Sequence, residues 1–292
     1  MPTRVEEPAP AKVNLTLHVT GRQADGYHLL DSLVVFADVG ERVTAARSDG
    51  AATLSVSGPL RRSVPADGRN LILRAAALFE PTPRIAFSLW KTIPSAAGIG
   101  GGSSDAAAAL RAVATLTGAV RPALPRIAAL GADIPVCLSD CAQRMRGIGE
   151  HLDPAPALPP FALLLVNPGT AVPTGAVFEA MARRDNPPMA EQLPGWADLE
   201  GFAAWLAAQR NDMEPAARSL APQISEVLAA LAAAPGCRLA RMSGSGATCF
   251  GLFASLAAAE AAAAPLRRRA GWWVAAAPVA GGAGDQVTRA TT

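Results

Sequence analysis

Residues 94–112 read PSAAGIGGGSSDAAAALRA, and this run constrains the chain more than any other. Gly98, Gly100, Gly101 and Gly102 permit positive φ and close backbone approach. Ser103 and Ser104 then open an alanine-rich helix expected over 104–117 and stopped by Gly118, with Asp105 in its first turn. Unpaired N–H groups and the dipole at a helix start attract anions, so a phosphate fits there. A plain glycine turn capped by serine is the simpler reading, but four glycines exceed what a cap needs. Two familiar phosphate loops do not match. A Walker A loop ends in Gly-Lys-Ser/Thr, whereas Ser103 follows Gly102 directly. A dinucleotide fingerprint needs GxGxxG and a later acid. Here Gly98-x-Gly100-x-x-Ser103 departs from it, and VRPALPRI after the helix offers no acid.

The 292 residues suffice for one large domain or two modest ones. Half are hydrophobic and 17% charged, which excludes a disordered polyelectrolyte. A net charge of +2 gives no basic stripe for nucleic acid. Lys12 and Lys91 are the only lysines, all other basic residues being arginine, and Tyr27 is the only tyrosine. Exposed positions tolerate a drift from Lys to Arg, so lysines that survive it invite a specific reason. The opening MPTRVEEPAPAK lacks the apolar stretch of a secretory leader, and no apolar run approaches the ~18 residues of a membrane span. Cys137, Cys141, Cys237 and Cys249 show no metal spacing and read as reduced thiols, mostly buried. A cytoplasmic location is expected, with no membrane or nucleic-acid partner.

Residues 12–19 alternate, with Lys12, Asn14, Thr16 and His18 on one face of an expected half-buried strand. Further strands are expected at 28–39, 41–47, 52–57 and 84–90, and helices at 69–80 and 123–130. DPAPALPP at 153–160 marks a domain joint, giving domains 1–152 and 153–292. Beyond it strands are expected at 161–166, 238–243, 247–253 and 272–275. Helices are expected at 174–182, 196–209, 222–234 and 255–268. A Gly/Ala-rich tail follows from about Val279 and is expected to fray. Strands and helices are mixed rather than strictly alternating, so the fold class is α+β.

The Pro94–Ser104 loop resembles the central motif of the GHMP kinases, which transfer the γ-phosphate of ATP to a small-molecule hydroxyl. The resemblance implies a two-domain fold: a β-rich N-terminal domain with the glycine-rich phosphate loop, and an α/β C-terminal domain. PAKVNL from Pro10, with ADGYH at 24–28, resembles the 4-diphosphocytidyl-2-C-methyl-D-erythritol kinase family within that group. LGADIPVCL (130–138), NPGTAVPTGAVF (167–178), RNDMEP (210–215) and RMSGSGATCFGLF (241–253) follow in that family's order. Ile99 stands where the family often has Leu, a volume-neutral change.

By that resemblance Asp133 and Lys12 are the catalytic pair, base and electrostatic partner. ATP is bound by Lys91, Pro94, Ser95, Ala96, Ala97, Gly98, Ile99, Gly100, Gly101, Gly102, Ser103 and Ser104. The cytidine-diphosphate sugar alcohol is bound by Asn14, Tyr27, His28, Thr174 and Phe178. Tyr27 stacks on the cytosine with Phe178 on its other side, and His28 reads the base edge. No acidic metal ligand stands out, so Mg²⁺ is expected on ATP phosphates, water and one loop serine. His18 and His151 read as structural, and Arg267–Arg269 as cations suiting a helix C-terminus. A homoserine or mevalonate kinase is disfavoured by ADGYH and Phe178. A regulatory protein without catalysis is disfavoured by having both Lys12 and Asp133. Lys12→Arg is expected to lower kcat about 100-fold, because a planar fork does not replace a point charge beside a transferred phosphoryl group. Steady-state kinetics of the purified variant check this, and full activity would reduce Lys12 to a leftover lysine.

Overall fold

The computed structural model describes residues 2–24 and 26–279. The tail expected to fray lies beyond these residues. The chain opens with β1 (Arg4–Asn14), β2 (His18–Arg22), the long β3 (His28–Arg47) and β4 (Thr53–Ser57). Next come α1 (Leu71–Ala76), β5 (Ile85–Trp90), α2 (Gly101–Thr117) and α3 (Leu124–Leu130). Then follow β6 (Gln143–Gly147), β7 (His151–Pro154), β8 (Ala162–Asn167), α4 (Thr174–Ala180), α5 (Leu199–Ala207) and α6 (Glu214–Leu220). The described residues close with α7 (Gln223–Ala232), β9 (Leu239–Met242), β10 (Cys249–Phe253), α8 (Leu256–Leu266) and β11 (Trp273–Pro278). The class is α+β, as the mixed order of elements implies. Among the described residues no helix is long and apolar enough to cross a membrane.

Several elements differ from their sequence-based bounds for identifiable reasons. The strand expected at 12–19 is two strands. Leu15 N donates to Leu33 O at 2.8 Å, and the Thr16 hydroxyl accepts from Leu33 N at 2.8 Å. Leu17 N then turns to Arg210 O at 2.8 Å. Both faces of this stretch are buried, Lys12, Asn14, Thr16 and His18 included. The strands expected at 28–39 and 41–47 are one continuous β3. Helix α1 is shorter than 69–80, because Leu78 and Phe79 bond to the carbonyls three residues back, tightening the last turn before Pro81. Helix α2 begins at Gly101, three residues early. Gly100 turns the chain at φ 65, and Ser104 N bonds to Gly100 O at 2.8 Å, so Gly101 and Gly102 already belong to the first turn.

The chain divides into two compact units, interleaved in sequence. The first takes residues up to Ala11, Gly40–Ser95 and Gly100–Ser139. Here β4 pairs parallel with β5, and β5 antiparallel with the second half of β3, Arg42 opposite Trp90 and Arg47 opposite Ile85. Helix α2 buries Ala106–Leu110, Ala112, Val113 and Leu116, and α1 packs on it. Its alanines, with no long side chain to displace, allow that approach.

The second unit takes Lys12–Val39, Ala96–Ile99 and the described residues from Asp140 on. The 153–160 segment lies inside it. The first half of β3 pairs with β2 and β6, and β6 with β7. A separate antiparallel sheet runs β11-β8-β10-β9. Strand β8 is buried throughout, as its unbroken apolar run requires. Leu164, Val166, Val177, Ile224, Val227, Leu231 and Phe253 share its core with Ala259 and Ala263 of α8.

Arg144 on β6 is buried against Asp31 on β3 through two bonds of 2.8 Å. Asp31 Oδ2 also accepts from Met189 N at 2.8 Å, and Arg144 donates to Ala190 O and Glu191 O at 2.9 and 2.7 Å. This pair fixes the irregular 189–191 segment. Removing one partner strands a buried charge, so Asp31→Ala is expected to lower stability by about 3–5 kcal/mol, measured by urea unfolding.

Candidate active site

In the second unit the turn Ser243–Gly246, between β9 and β10, is a hub for distant segments. The Ser243 hydroxyl donates to Gly98 O at 2.9 Å and accepts from Asn14 N at 3.0 Å. Gly98 has φ +72, and a Cβ there would lie 2.5 Å from Ser243 O and 2.8 Å from Gly246 N, so only glycine allows this approach. Thr248 N donates to Ala97 O at 3.2 Å, and Ile99 O accepts from Lys12 N at 3.0 Å. Ala96 adopts φ 51, a left-handed conformation that is strained for a residue with a Cβ. The turn is held from below by Asn211, which donates to Met242 O and Gly244 O at 2.8 and 2.9 Å.

Lys12 and Asn14, two apart on β1, are both buried here. Asn14 Nδ2 donates to the Ser32 hydroxyl at 2.7 Å, while its buried Oδ1 has no hydrogen-bond partner among the described residues. Thr174, at the start of α4, shares a 2.8 Å hydrogen bond with Ser245. Four segments far apart in sequence (residues 12–14, 96–99, 174 and 243–248) are thereby joined.

His28 and Phe178 meet directly. Their rings stack at 3.9 Å between centroids with planes 3° apart. A base has no room between these two rings as they stand. Tyr27 beside them is 58% exposed. Asp25 of ADGYH lies outside the described residues. Burial lowers the His28 pKa from its ordinary value, and the charges of Arg22 and Arg184 add to this. His28 Nε2 is buried without a protein partner among the described residues. Arg184 caps α4 by donating to Phe178 O and Glu179 O, each at 2.7 Å.

In the first unit the phosphate-loop helix α2 starts behind Gly100. Pro94 is half-buried and Ser95 exposed, while Gly102 is exposed and Ser103 half-buried at the helix start. The first N–H groups of a helix lack intrahelical acceptors, which leaves donors at Gly101–Ser103 for an anion. The Ser104 side chain is not one of these donors. Its hydroxyl bonds to Pro10 O at 2.8 Å and lies 3.5 Å from Cys137 Sγ. Arg111, two turns on, donates to Cys137 O at 3.0 Å. These bonds fasten the segment carrying half-buried Asp133 to α2. Asp133 itself sits in a tight turn, with Ile134 N bonded to Gly131 O at 3.0 Å.

Lys91 is 2% exposed, and its ammonium is ion-paired with buried Glu41. Asp105 is buried beside them. Burial raises its carboxyl well above the usual carboxylate range, and Glu41 adds to this through a hydrogen bond and its charge, with Lys91 opposing. The motifs alone did not single out Glu41, Ser243, Ser245 or Asn211. The serines lie in RMSGSGATCFGLF and Asn211 in RNDMEP, and these stretches were the available signals. Glu41 acquires meaning only through its partners.

The GHMP kinases N terminal domain family matches residues 70–142, and the GHMP kinases C terminal family residues 189–271. The 4-diphosphocytidyl-2-C-methyl-D-erythritol kinase of Cereibacter sphaeroides is 58% identical over 255 residues, covering 87% of this chain and 91% of that one. The protein of the same name from Paracoccus denitrificans is 56% identical over 261 residues, covering 89% and 91%. A crystal structure of 4-(cytidine 5'-diphospho)-2C-methyl-D-erythritol kinase superposes with TM-score 0.76 at 36% identity, covering 95% of this chain and all of that one. A homoserine kinase from Cytophaga hutchinsonii shares the fold, at TM-score 0.66 and 19% identity. Both halves of the GHMP pattern in order, with identity this high over nearly the whole relative, leave one conclusion: the chain belongs to the 4-diphosphocytidyl-2-C-methyl-D-erythritol kinase family of the GHMP kinases.

Proposed function

We propose that the protein uses ATP to phosphorylate the 2-hydroxyl of 4-diphosphocytidyl-2-C-methyl-D-erythritol, a step of the non-mevalonate route to isoprenoid precursors. The observation that carries this reading is the 58% identity to the kinase of that name over 87% of the chain. The residues fit the chemistry. The first-turn N–H groups of α2 and the Gly98–Gly100 backbone cradle ATP phosphates. Asp133 orients the substrate hydroxyl and takes its proton as the oxygen attacks the γ-phosphorus, and the β-phosphate oxygen leaves as ADP. Lys12 stabilises charge on the transferred phosphoryl group.

Two orphaned polar atoms support the substrate assignment. The buried His28 Nε2 suits a cytosine edge, and Asn14 Oδ1 suits a substrate hydroxyl or N–H donor. A neutral His28 can donate or accept there, as its lowered pKa allows. The His28–Phe178 stack changes the expected sandwich. A base enters between Tyr27 and Phe178 only if His28 leaves the Phe178 face it now covers. Thr174 would orient the reacting end of the substrate.

Magnesium fits a site of hydroxyls, phosphates and water. Among the described residues no three His, Cys, Asp or Glu side chains gather to hold a metal. Mg²⁺ would be held by the ATP phosphates, waters and one loop serine, where it would neutralise phosphate charge. We assign the enzyme to the cytoplasm, where ATP is available and cysteine thiols stay reduced.

Asp133→Asn is expected to lower kcat by about 10²–10⁴-fold with ATP binding retained. Turnover near the wild-type rate would remove Asp133 as the base. A panel of cytidine-diphosphate methylerythritol, homoserine and mevalonate with the wild-type enzyme tests the substrate, and phosphorylation of only the first is expected.

A further inference from the structure

The buried cluster of Glu41, Lys91 and Asp105 plays no part in the steps above, yet it touches the helix on which they rest. Strand β3 supplies Glu41, the residue after β5 supplies Lys91, and α2 supplies Asp105. All three belong to the first unit and are 2–4% exposed. Lys91 has little freedom. Its backbone N donates to Ser57 O at 2.9 Å and its O accepts from Leu60 N at 3.2 Å. Its ammonium lies 3.4 Å from where a Cβ on Gly101 would stand, against the first residue of α2. Asp105 is four residues further along, one helical turn on and on the same face. The cluster therefore grips the start of the phosphate helix at two points. With the Glu41 partner in place, the Lys91 side chain offers a nucleotide almost no surface.

We propose that Glu41, Lys91 and Asp105 form a positioning cluster that sets the first turn of α2 for ATP, with Lys91 acting through the helix and not by touching the nucleotide. This rests on the reading of α2 as the phosphate helix. The charge arrangement explains why a lysine persists in an arginine-rich chain. A compact ammonium fits between a strand carboxylate and the bare backbone of Gly101, where a planar guanidinium has no room. A Cβ at Gly101 would stand 3.2 Å from Ile93 Cδ1 and 3.4 Å from the ammonium, so the bare first residue of α2 lets both side chains lie close to the helix start.

The test is a double-mutant cycle read as KM for ATP, with KM for the cytidine substrate as control. Lys91→Met leaves the Glu41 carboxylate buried and unpaired, and is expected to raise KM for ATP at least tenfold while the cytidine KM stays within twofold. Adding Glu41→Gln removes the stranded charge and is expected to bring KM for ATP back to less than fivefold above wild type. If Lys91 held the nucleotide directly, the second substitution could not restore it, and a double variant still raised tenfold or more would overturn the proposal. So would a Lys91→Met enzyme with unchanged KM for ATP. Should Lys91→Met alone not fold, the soluble double variant decides by the same fivefold and tenfold limits. Absence of phosphate transfer in the wild type would instead strike the proposed function, so the two failures are distinct.

Discussion

One hydroxyl ties together the candidate residues of the second unit. Ser243 accepts from the Asn14 backbone and donates to the Gly98 carbonyl, joining chain segments separated by 229 and 145 residues. The contact is possible because Gly98 and the Ser243–Gly246 turn are bare where their backbones meet. A buried serine with both its donor and acceptor roles satisfied is inexpensive to keep, whereas the same atoms unpaired would each cost about 1–3 kcal/mol. Loss of that hydroxyl would leave two backbone groups orphaned at once. Lys12, Asn14 and the first half of the phosphate loop are thus placed by a residue that need not react.

Buried charge is the second organising constraint. Asp31 and Arg144 are satisfied by each other and by backbone groups of 189–191, so a segment without regular structure acquires a fixed path. Glu41, Lys91 and Asp105 solve a harder case, two carboxyls facing one ammonium. Burial, with a hydrogen bond and charge from Glu41, raises the Asp105 carboxyl well above the usual carboxylate range, so the two carboxyls are not equivalent. Neither arrangement is strong evidence of net stability, since desolvation offsets much of the attraction. Each does specify one geometry, because any other leaves a charge alone.

Unbroken apolar runs and glycine-stopped helices were legible from residue patterns, whereas the alternation at 12–19 was not a guide, since that stretch is two strands with both faces buried. The apolar run of β8, the helix α2 and its stop at Gly118, and the strand–turn–strand around SGSG all follow from local chemistry. Strand β6 was not legible. QRMRG carries two arginines, and only the Asp31 carboxylate across the sheet makes Arg144 a core residue. The start of α2 was misplaced for a related reason. The serines looked like caps, but the Ser104 hydroxyl is engaged with Pro10 O, and Gly100 makes the turn instead.

The sequence by itself determined the fold class, the glycine loop, the order of family motifs and the rarity of Lys12, Lys91 and Tyr27. These are properties of composition, spacing and local conformation, which a linear text contains. Only the tertiary structure decided that Lys91 faces Glu41 from the interior, that His28 lies flat on Phe178, and that Ser243 joins Asn14 to Gly98. Each depends on which side chains meet after the chain has closed over long sequence distances, and the partner, not the residue type, sets what a buried polar group does.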